Sequence, residues 1–256
     1  MSKLLWINPF GNDGSDQSIY AYLAPQLASD TVLRVTALPR GPEHVEYHYY
    51  ESLILLDLLH TIKRAENDGF DAAVIGCFYD PGLREAREIT ERMVVTAPAE
   101  ASMHIAGTLG HTFSIIVGRN KWIPQMHENV VKYGFRDRLA SFKSVDLGVY
   151  DFMKDLKETN RRLTAAAREA VEQDRAEVII LGCTMQFGFS QELQSALGVP
   201  VIDPVIAPVK YAEFLVGLRD RLGWRTSKKY GYESPPLAEI QAWHLADQYD
   251  LKDLWR

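Results

Sequence analysis

Cys77 and Cys183 are the only cysteines of this 256-residue sequence, and their surroundings match. Ala72-Ala73-Val74-Ile75-Gly76-Cys77 and Val178-Ile179-Ile180-Leu181-Gly182-Cys183 each read as an apolar strand, a glycine and then a thiol. The two cysteines stand 106 residues apart, and at the same spacing Pro98 matches Pro204 and Ala101 matches Ala207. Leu4 to Asn8 pairs more loosely with Ser114 to Gly118. Chance likeness between strand–helix units is common, but several features sharing one offset favour an internal duplication. Two cysteines are too few for a disulfide scaffold, and no CxxC or HExxH pattern offers a metal site. Taken singly, each is most simply a small buried hydrophobe. Taken as a symmetric pair, they can do chemistry. A thiol just past the carboxyl end of a parallel strand stands where open α/β sheets hold their ligands. A helix starting behind it favours the thiolate and offers N–H groups to an anionic oxygen. Two such sulfurs on opposite sides of one carbon can invert it. One thiolate removes the proton, and the opposite thiol returns one to the other face of the enolate. A thiol near its usual pKa of about 8.5 needs little tuning for this near neutrality. Each sulfur must approach the carbon to about 3–3.5 Å, which puts the sulfurs roughly 6–8 Å apart in a closed form. No metal and no cofactor is required.

The elements that must position the thiols are legible as alternating strands and helices. Lys3–Asn8, Val32–Leu38, Asp71–Gly76, Thr112–Val117, Glu177–Gly182 and Pro200–Ile202 read as strands. Ser15–Ala28, Leu53–Ala65, Gly82–Glu91, Leu156–Gln173, Ser190–Leu197 and Ala207–Arg221 read as helices, with Leu53, Leu56, Leu59 and Ile62 placed on one inward face. Apolar strands alternating with amphipathic helices imply an α/β fold with parallel sheets. The duplication makes it two pseudo-symmetric lobes, each a mostly parallel sheet flanked by helices, with the active site expected in the cleft between them. Residues 1–105 and 206–256 are expected to form lobe one with a C-terminal extension, and residues 106–205 lobe two.

At these residues the sequence resembles the hydantoin and allantoin racemases of the aspartate/glutamate racemase superfamily. The likeness covers about residues 4–220. It runs through Ile7-Asn8-Pro9, Gly76-Cys77-Phe78, Asp80-Pro81-Gly82-Leu83, Ala99-Glu100-Ala101, Phe113-Ser114-Ile115, Leu181-Gly182-Cys183 and Val199-Pro200-Val201-Ile202-Asp203. The resemblance implies a two-lobed α/β fold, catalytic Cys77 and Cys183, cofactor-free racemisation and a substrate contact at Asn8. Phe78, Tyr79, Gly118, Arg119 and Thr184 border the same motifs and complete the candidate substrate-binding set. Four departures stand out. Phe10-Gly11 follows Pro9 in place of Asn-Thr/Ser. Val117-Gly118 replaces paired threonines. Thr184-Met185-Gln186-Phe187 replaces small residues, and Tyr79 stands where glycine is usual. Without hydroxyls at 117–118, simple hydantoins are expected to be poor substrates, and a carboxylate reaching Arg119 is a candidate replacement. A decarboxylase acting through a similar enolate, as in the related arylmalonate decarboxylases, is a second reading. A non-catalytic small-molecule binder is a third.

Other residues have plainer uses. Asp80, beside Pro81-Gly82, suits a turn or helix cap. Glu100 and Asp203 read as structural, and Arg119 has a solvated surface role as its alternative. His104 is most simply a packed histidine, and Gly11-Asn12-Asp13-Gly14 a turn, lacking any phosphate-loop signature. Residues 223–256 read as a tail packed on its own core, with a helix from about Leu237 to Gln248. Subunit contact or a cleft cover is the alternative. The chain is 46% hydrophobic and 24% charged with net charge −6. It carries no basic stripe for nucleic acid, no apolar run of the roughly 18 residues a membrane span needs, and no signal-like start. A cytoplasmic enzyme with a small-molecule substrate is the expectation, and a homo-oligomer is compatible with it.

Overall fold

The structure is a computed structural model that describes every residue except Asn12, Asp13, Ser15, Lys252, Asp253 and Arg256. The turn expected at Asn12-Asp13 and the helix start expected at Ser15 therefore lie outside the described residues. The chain divides into two compact units. The first holds residues 1–75, 81–96 and 210–256, and the second residues 76–80 and 97–209.

The first unit begins with β1 (Ser2–Gly11), α1 (Asp16–Leu23), β2 (Thr31–Leu38), α2 (His48–Asn67), β3 (Ala72–Ile75), α3 (Leu83–Ile89) and β4 (Val94–Thr96). Its four strands are parallel in the order β2-β1-β3-β4. The second unit continues with α4 (Pro98–Leu109), β5 (Phe113–Val117), α5 (Ile123–Lys132), β6 (Leu139–Ser144), α6 (Leu156–Glu172), β7 (Val178–Leu181), α7 (Ser190–Leu197) and β8 (Val201–Ile202). Its strands are again parallel, in the order β6-β5-β7-β8. The two sheets thus repeat one topology: the first strand is inside, the second at one edge, the third inside and the fourth at the other edge. The chain ends with α8 (Ile206–Leu222), α9 (Leu237–Ala242) and α10 (Leu245–Gln248).

The interior strands are explained directly by composition. Every residue of β3, β5 and β7 is buried, as a parallel strand covered by helices on both faces requires. Register refines the repeat: Leu4 pairs with Ala72 as Phe113 pairs with Val178. Asn8 therefore corresponds to Val117, one residue away from the looser alignment drawn from sequence. The inward face of α2 also differs from expectation. Ile54, Leu58, Ile62 and Ala65 are buried, whereas Leu53 is 51% and Leu56 40% exposed. Apolar residues surround this helix, so spacing alone allows more than one stripe. The expected helix at 237–248 is broken in two at His244, whose φ is +53°.

Hydrogen bonds tie down the amino-terminal end of the first sheet. Glu66 Oε1 accepts the amides of Glu91, Arg92 and Met93 at 2.7, 2.8 and 3.1 Å, and Glu66 Oε2 takes Lys63 Nζ at 2.7 Å. Asp71 receives Lys3 N at 2.8 Å and the Arg219 guanidinium at 2.7 Å. The tail packs on α2 and α3 of its own unit: Lys228 Nζ donates to the Arg87 and Glu88 carbonyls at 2.7 and 2.8 Å, and Ile240, Leu251 and Leu254 are buried. No helix of the described residues is long and apolar enough to cross a membrane.

Candidate functional site

Both cysteines belong to the second unit. Each lies two residues past an interior strand, Cys77 after β3 and Cys183 after β7. Neither is in a disulfide; Cys77 is half-buried and Cys183 buried. Phe78, Tyr79, Val117 and Cys183 belong to one buried apolar cluster, against which Cys77 packs. The two thiol-bearing segments meet directly: Thr184 Oγ1 donates to the Gly76 carbonyl at 3.3 Å. Gly182 lets β7 run close to β5, because a Cβ there would stand 2.8 Å from Ile115 Cγ2.

The helices that follow the thiols start at Leu83 and Ser190, within a residue of the expected Gly82 and Ser190. A tight turn comes first in each case. Asp80 N donates to the Cys77 carbonyl at 3.0 Å, and Gln186 N donates to the Cys183 carbonyl at 2.9 Å. Cys183 leads into a single 3₁₀ turn, Thr184–Gln186.

The acidic residues near these turns reveal a swapped design. Asp80 is 2% exposed and adopts a left-handed φ of +51°. Its Oδ1 accepts Ala99 N at 2.9 Å, and its Oδ2 accepts Glu100 N and the Tyr133 hydroxyl, both at 2.9 Å. It thus caps α4 rather than the adjacent α3. Burial pushes its carboxyl up from 3.8 to about 7, against the pull of those three donors, which favour the charged form. In the second repeat the capping carboxylate comes from the segment leading into the helix rather than from the cysteine turn. Asp203 Oδ1 accepts Val205 N and Ile206 N at 2.9 and 3.1 Å, capping α8. Its Oδ2 accepts Gly188 N and Ser190 Oγ at 3.1 and 3.3 Å. Val205 and Ile206 stand 106 residues after Ala99 and Glu100, so the same two amides are capped in both repeats. The acid has changed places: Asp80 corresponds to Gln186, and Ala97 to Asp203.

The remaining candidates have varied surroundings. Tyr79 offers its carbonyl to Asn129 Nδ2 at 2.7 Å. Gly118 is buried beneath Trp122, and a Cβ there would stand 2.4 Å from both the indole ring and the Leu147 carbonyl. No hydroxyl side chain fits at that position. Arg119 is half-buried, and its charge helps hold Asp151 below its ordinary value, after the larger effects of Lys154 and Gly148 N. Asn8 belongs to the first unit, 2% exposed, accepting Trp6 Nε1 and donating to Asp16 Oδ1, both at 2.7 Å. His104 is exposed on α4, its ring edge-on to Phe135 at 5.1 Å. Sequence reasoning does not single out Gln186, Trp122 or Tyr133 as site residues. For Gln186 a signal exists, since it sits three past a cysteine, as Asp80 does.

Residues 4–212 match the family described as Asp/Glu/Hydantoin racemase. The chain belongs to that family. Membership makes it an isomerase of the racemase type. A hydantoin racemase of Paenarthrobacter aurescens is 39% identical over 91% of this chain and 97% of its own length. A hydantoin racemase of Pseudomonas sp. strain NS671 is 35% identical over 93% of each chain. Among solved structures, the allantoin racemase from Klebsiella pneumoniae superposes with a TM-score of 0.85 at 30% identity, covering 92% of this chain and 94% of its own. The family match ends within α8, so α9 and α10 lie beyond it.

Proposed function

We propose that this chain racemises a small hydantoin-, allantoin- or amino-acid-like molecule at an acidic carbon next to a carbonyl, using Cys77 and Cys183 as acid and base. The observation that carries the reading is the matched placement of the two thiols. Each comes after the equivalent interior strand of a repeated sheet, and the Thr184–Gly76 hydrogen bond joins their segments. Hydantoin racemases at 39% and 35% identity share most of this chain's length.

In the forward direction one thiolate removes the α-proton. The C–H electron pair moves into the carbon–carbonyl bond and leaves an enolate oxygen. Peptide N–H groups of the turns after the cysteines supply its donors. The opposite thiol gives its proton to the other face of the carbon and becomes the thiolate. The two sulfurs have then exchanged protonation states, and the reverse reaction restores them. The account needs no cofactor, only two reduced thiols, which a reducing cytoplasm maintains.

Substrate range is set by the departures at the site. Val117 is fully buried and Gly118 is closed by Trp122, so neither supplies a hydroxyl to a ureide ring. Simple hydantoins are expected to turn over slowly, and substrates with a carboxylate for Arg119 faster. The test is proton-exchange NMR in deuterium oxide on both enantiomers of a hydantoin, allantoin and amino-acid panel. Deuterium entering the α-position of both enantiomers together with loss of optical rotation supports the reading. Absence of exchange across the panel refutes it, and carbon dioxide release from an arylmalonate would point to decarboxylation.

A further inference from the structure

The segment 76–80, which includes Cys77, belongs to the second unit, although β3 before it and α3 after it belong to the first. Hydrogen bonds from several elements of the second unit hold it there. Thr184 Oγ1 donates to the Gly76 carbonyl at 3.3 Å, and Asn129 Nδ2 donates to the Tyr79 carbonyl at 2.7 Å. Asp80 accepts the Ala99 and Glu100 amides and the Tyr133 hydroxyl, each at 2.9 Å. Phe78 and Tyr79 are buried in the apolar cluster of that unit. Cys183 stands in contrast. It follows β7 within one unit, and Gly182 N, one residue before it, still donates to the Ile116 carbonyl of β5 at 2.8 Å.

Two of these fastenings come from one side of α5. Asn129 and Tyr133 are four residues apart, a spacing that puts their side chains next to each other at the carboxyl end of the helix. Asn129 is 6% exposed and holds a backbone carbonyl two residues past Cys77. Tyr133 holds the carboxyl of the next residue, whose amide closes the turn onto the Cys77 carbonyl at 3.0 Å. Asp80 keeps a left-handed φ of +51°, a conformation that persists in a residue other than glycine when its surroundings over-determine it. In the turn after Cys183 the residue equivalent to Asp80 makes no such attachment: neither Nε2 nor Oε1 of Gln186 has a hydrogen-bond partner among the described residues. A turn that stays on the sheet it came from does not need one.

We propose that Asp80, Asn129 and Tyr133 are positioning residues for Cys77: they fasten its turn to the unit that carries Cys183, so that both thiols rest on one framework. The proposal rests on the reading that both thiols serve one substrate carbon. The three residues act through the turn rather than on the substrate. A misplacement of about 1 Å at one sulfur can cost on the order of a hundredfold in rate. Loosening the Cys77 turn leaves Cys183 in place, so the defect is one-sided. The enantiomer whose α-hydrogen faces Cys183 still gives that proton to the Cys183 thiolate. Once the resulting thiol has exchanged its hydrogen with solvent, a deuteron returns to the same face, and inversion stalls. The opposite enantiomer needs Cys77 to remove its proton and loses both exchange and inversion.

Two readouts on Tyr133→Phe and Asn129→Leu test this. The first is amide hydrogen exchange by NMR, which needs no substrate. Loss of one hydrogen bond should speed exchange of the Asp80, Ala99 and Glu100 amides by about fivefold and leave the Gln186 amide of the other turn unchanged. The second is α-proton exchange and inversion of each enantiomer in deuterium oxide. Inversion should fall by about tenfold to a hundredfold, with exchange retained for the same enantiomer that Cys77→Ser prefers. Tyr133→Phe removes a single oxygen, so it decides should Asn129→Leu fail to fold. Unchanged amide exchange in the Cys77 turn overturns the proposal. So does acceleration at Gln186 equal to that at Asp80, or an equal loss of exchange and inversion for both enantiomers, because these three side chains would then serve the whole fold. If the Cys77 turn loosens alone but the wild type exchanges no substrate proton, the racemase reading fails and the fastening of the turn stands.

Discussion

Asp80 shows how much one buried carboxyl can carry. It fixes the start of α4 through two amides and holds the Tyr133 hydroxyl, all from a turn that begins at Cys77. Its folded pKa of about 7 lies above the ordinary 3.8. The folded state therefore holds the proton more tightly than the unfolded chain. The stability this supplies is full below about pH 4 and is lost as pH rises through about 7. Asp80→Asn removes that dependence. Urea midpoints should show the variant clearly weaker than wild type at pH 5, because an amide offers one acceptor oxygen where the carboxyl offered two. The gap should narrow by pH 8, and a gap that widens contradicts the assignment. The sequence marks Asp80 as a cap or turn residue. It cannot show that the capped helix begins nearly twenty residues on, because a contact between distant segments leaves no local spacing to read. Gly118 makes a second prediction. With Trp122 and the Leu147 carbonyl 2.4 Å from a would-be Cβ, Gly118→Ala must displace one of them. A loss of about 1–3 kcal/mol in chemical denaturation is expected.

At the scale of elements, legibility tracks burial. Among the interior strands, β3 and β7 are unbroken apolar runs and β5 is interrupted only by Ser114, and sequence patterning places each to within a residue or two. The edge strand β6 escapes it. It reads Leu139-Ala-Ser-Phe-Lys-Ser and is half-buried throughout, so it shows neither a continuous apolar run nor a strict alternation. The helix α5 escapes it as well. In α2 the expected boundaries are too short and the expected inward face is shifted, because Leu53 and Leu56 compete with Ile54 and Leu58 for the same stripe. The turn entering β4 offers a test at this scale. Glu66 gathers three backbone amides and Lys63, whose side chain is only 11% exposed. Glu66→Ala leaves those donors and a largely buried ammonium without their acceptor. A destabilisation of about 2–4 kcal/mol is expected in urea titration. Those amides and Lys63 hold the carboxyl below its usual range although burial pushes the other way. This contribution is therefore present above the unfolded pKa and fades as acid protonates the group.

At the scale of the molecule, one topology occurs twice and one capping task is solved twice, with the acid drawn from the cysteine turn in one copy and from the segment before the helix in the other. A duplicated scaffold presents two thiols in matched backbone settings, which is what inversion at a single carbon demands. The copies differ at Asp80 against Gln186 and at Glu100 against Ile206. The duplication itself is legible from the spacing of Cys77 and Cys183 together with their preceding strands. The swap of the caps emerges only from the hydrogen bonds.

The central claim, that two thiols act on opposite faces of one carbon, is tested most directly by α-proton exchange in deuterium oxide. Each separate enantiomer of a turned-over substrate is followed by NMR with wild type, Cys77→Ser and Cys183→Ser. The account predicts that wild type exchanges and interconverts both enantiomers, and that neither variant interconverts them. Each variant should retain slow exchange of one enantiomer only, with the preferred enantiomer reversed between the two. Undiminished racemisation by either serine variant would contradict it.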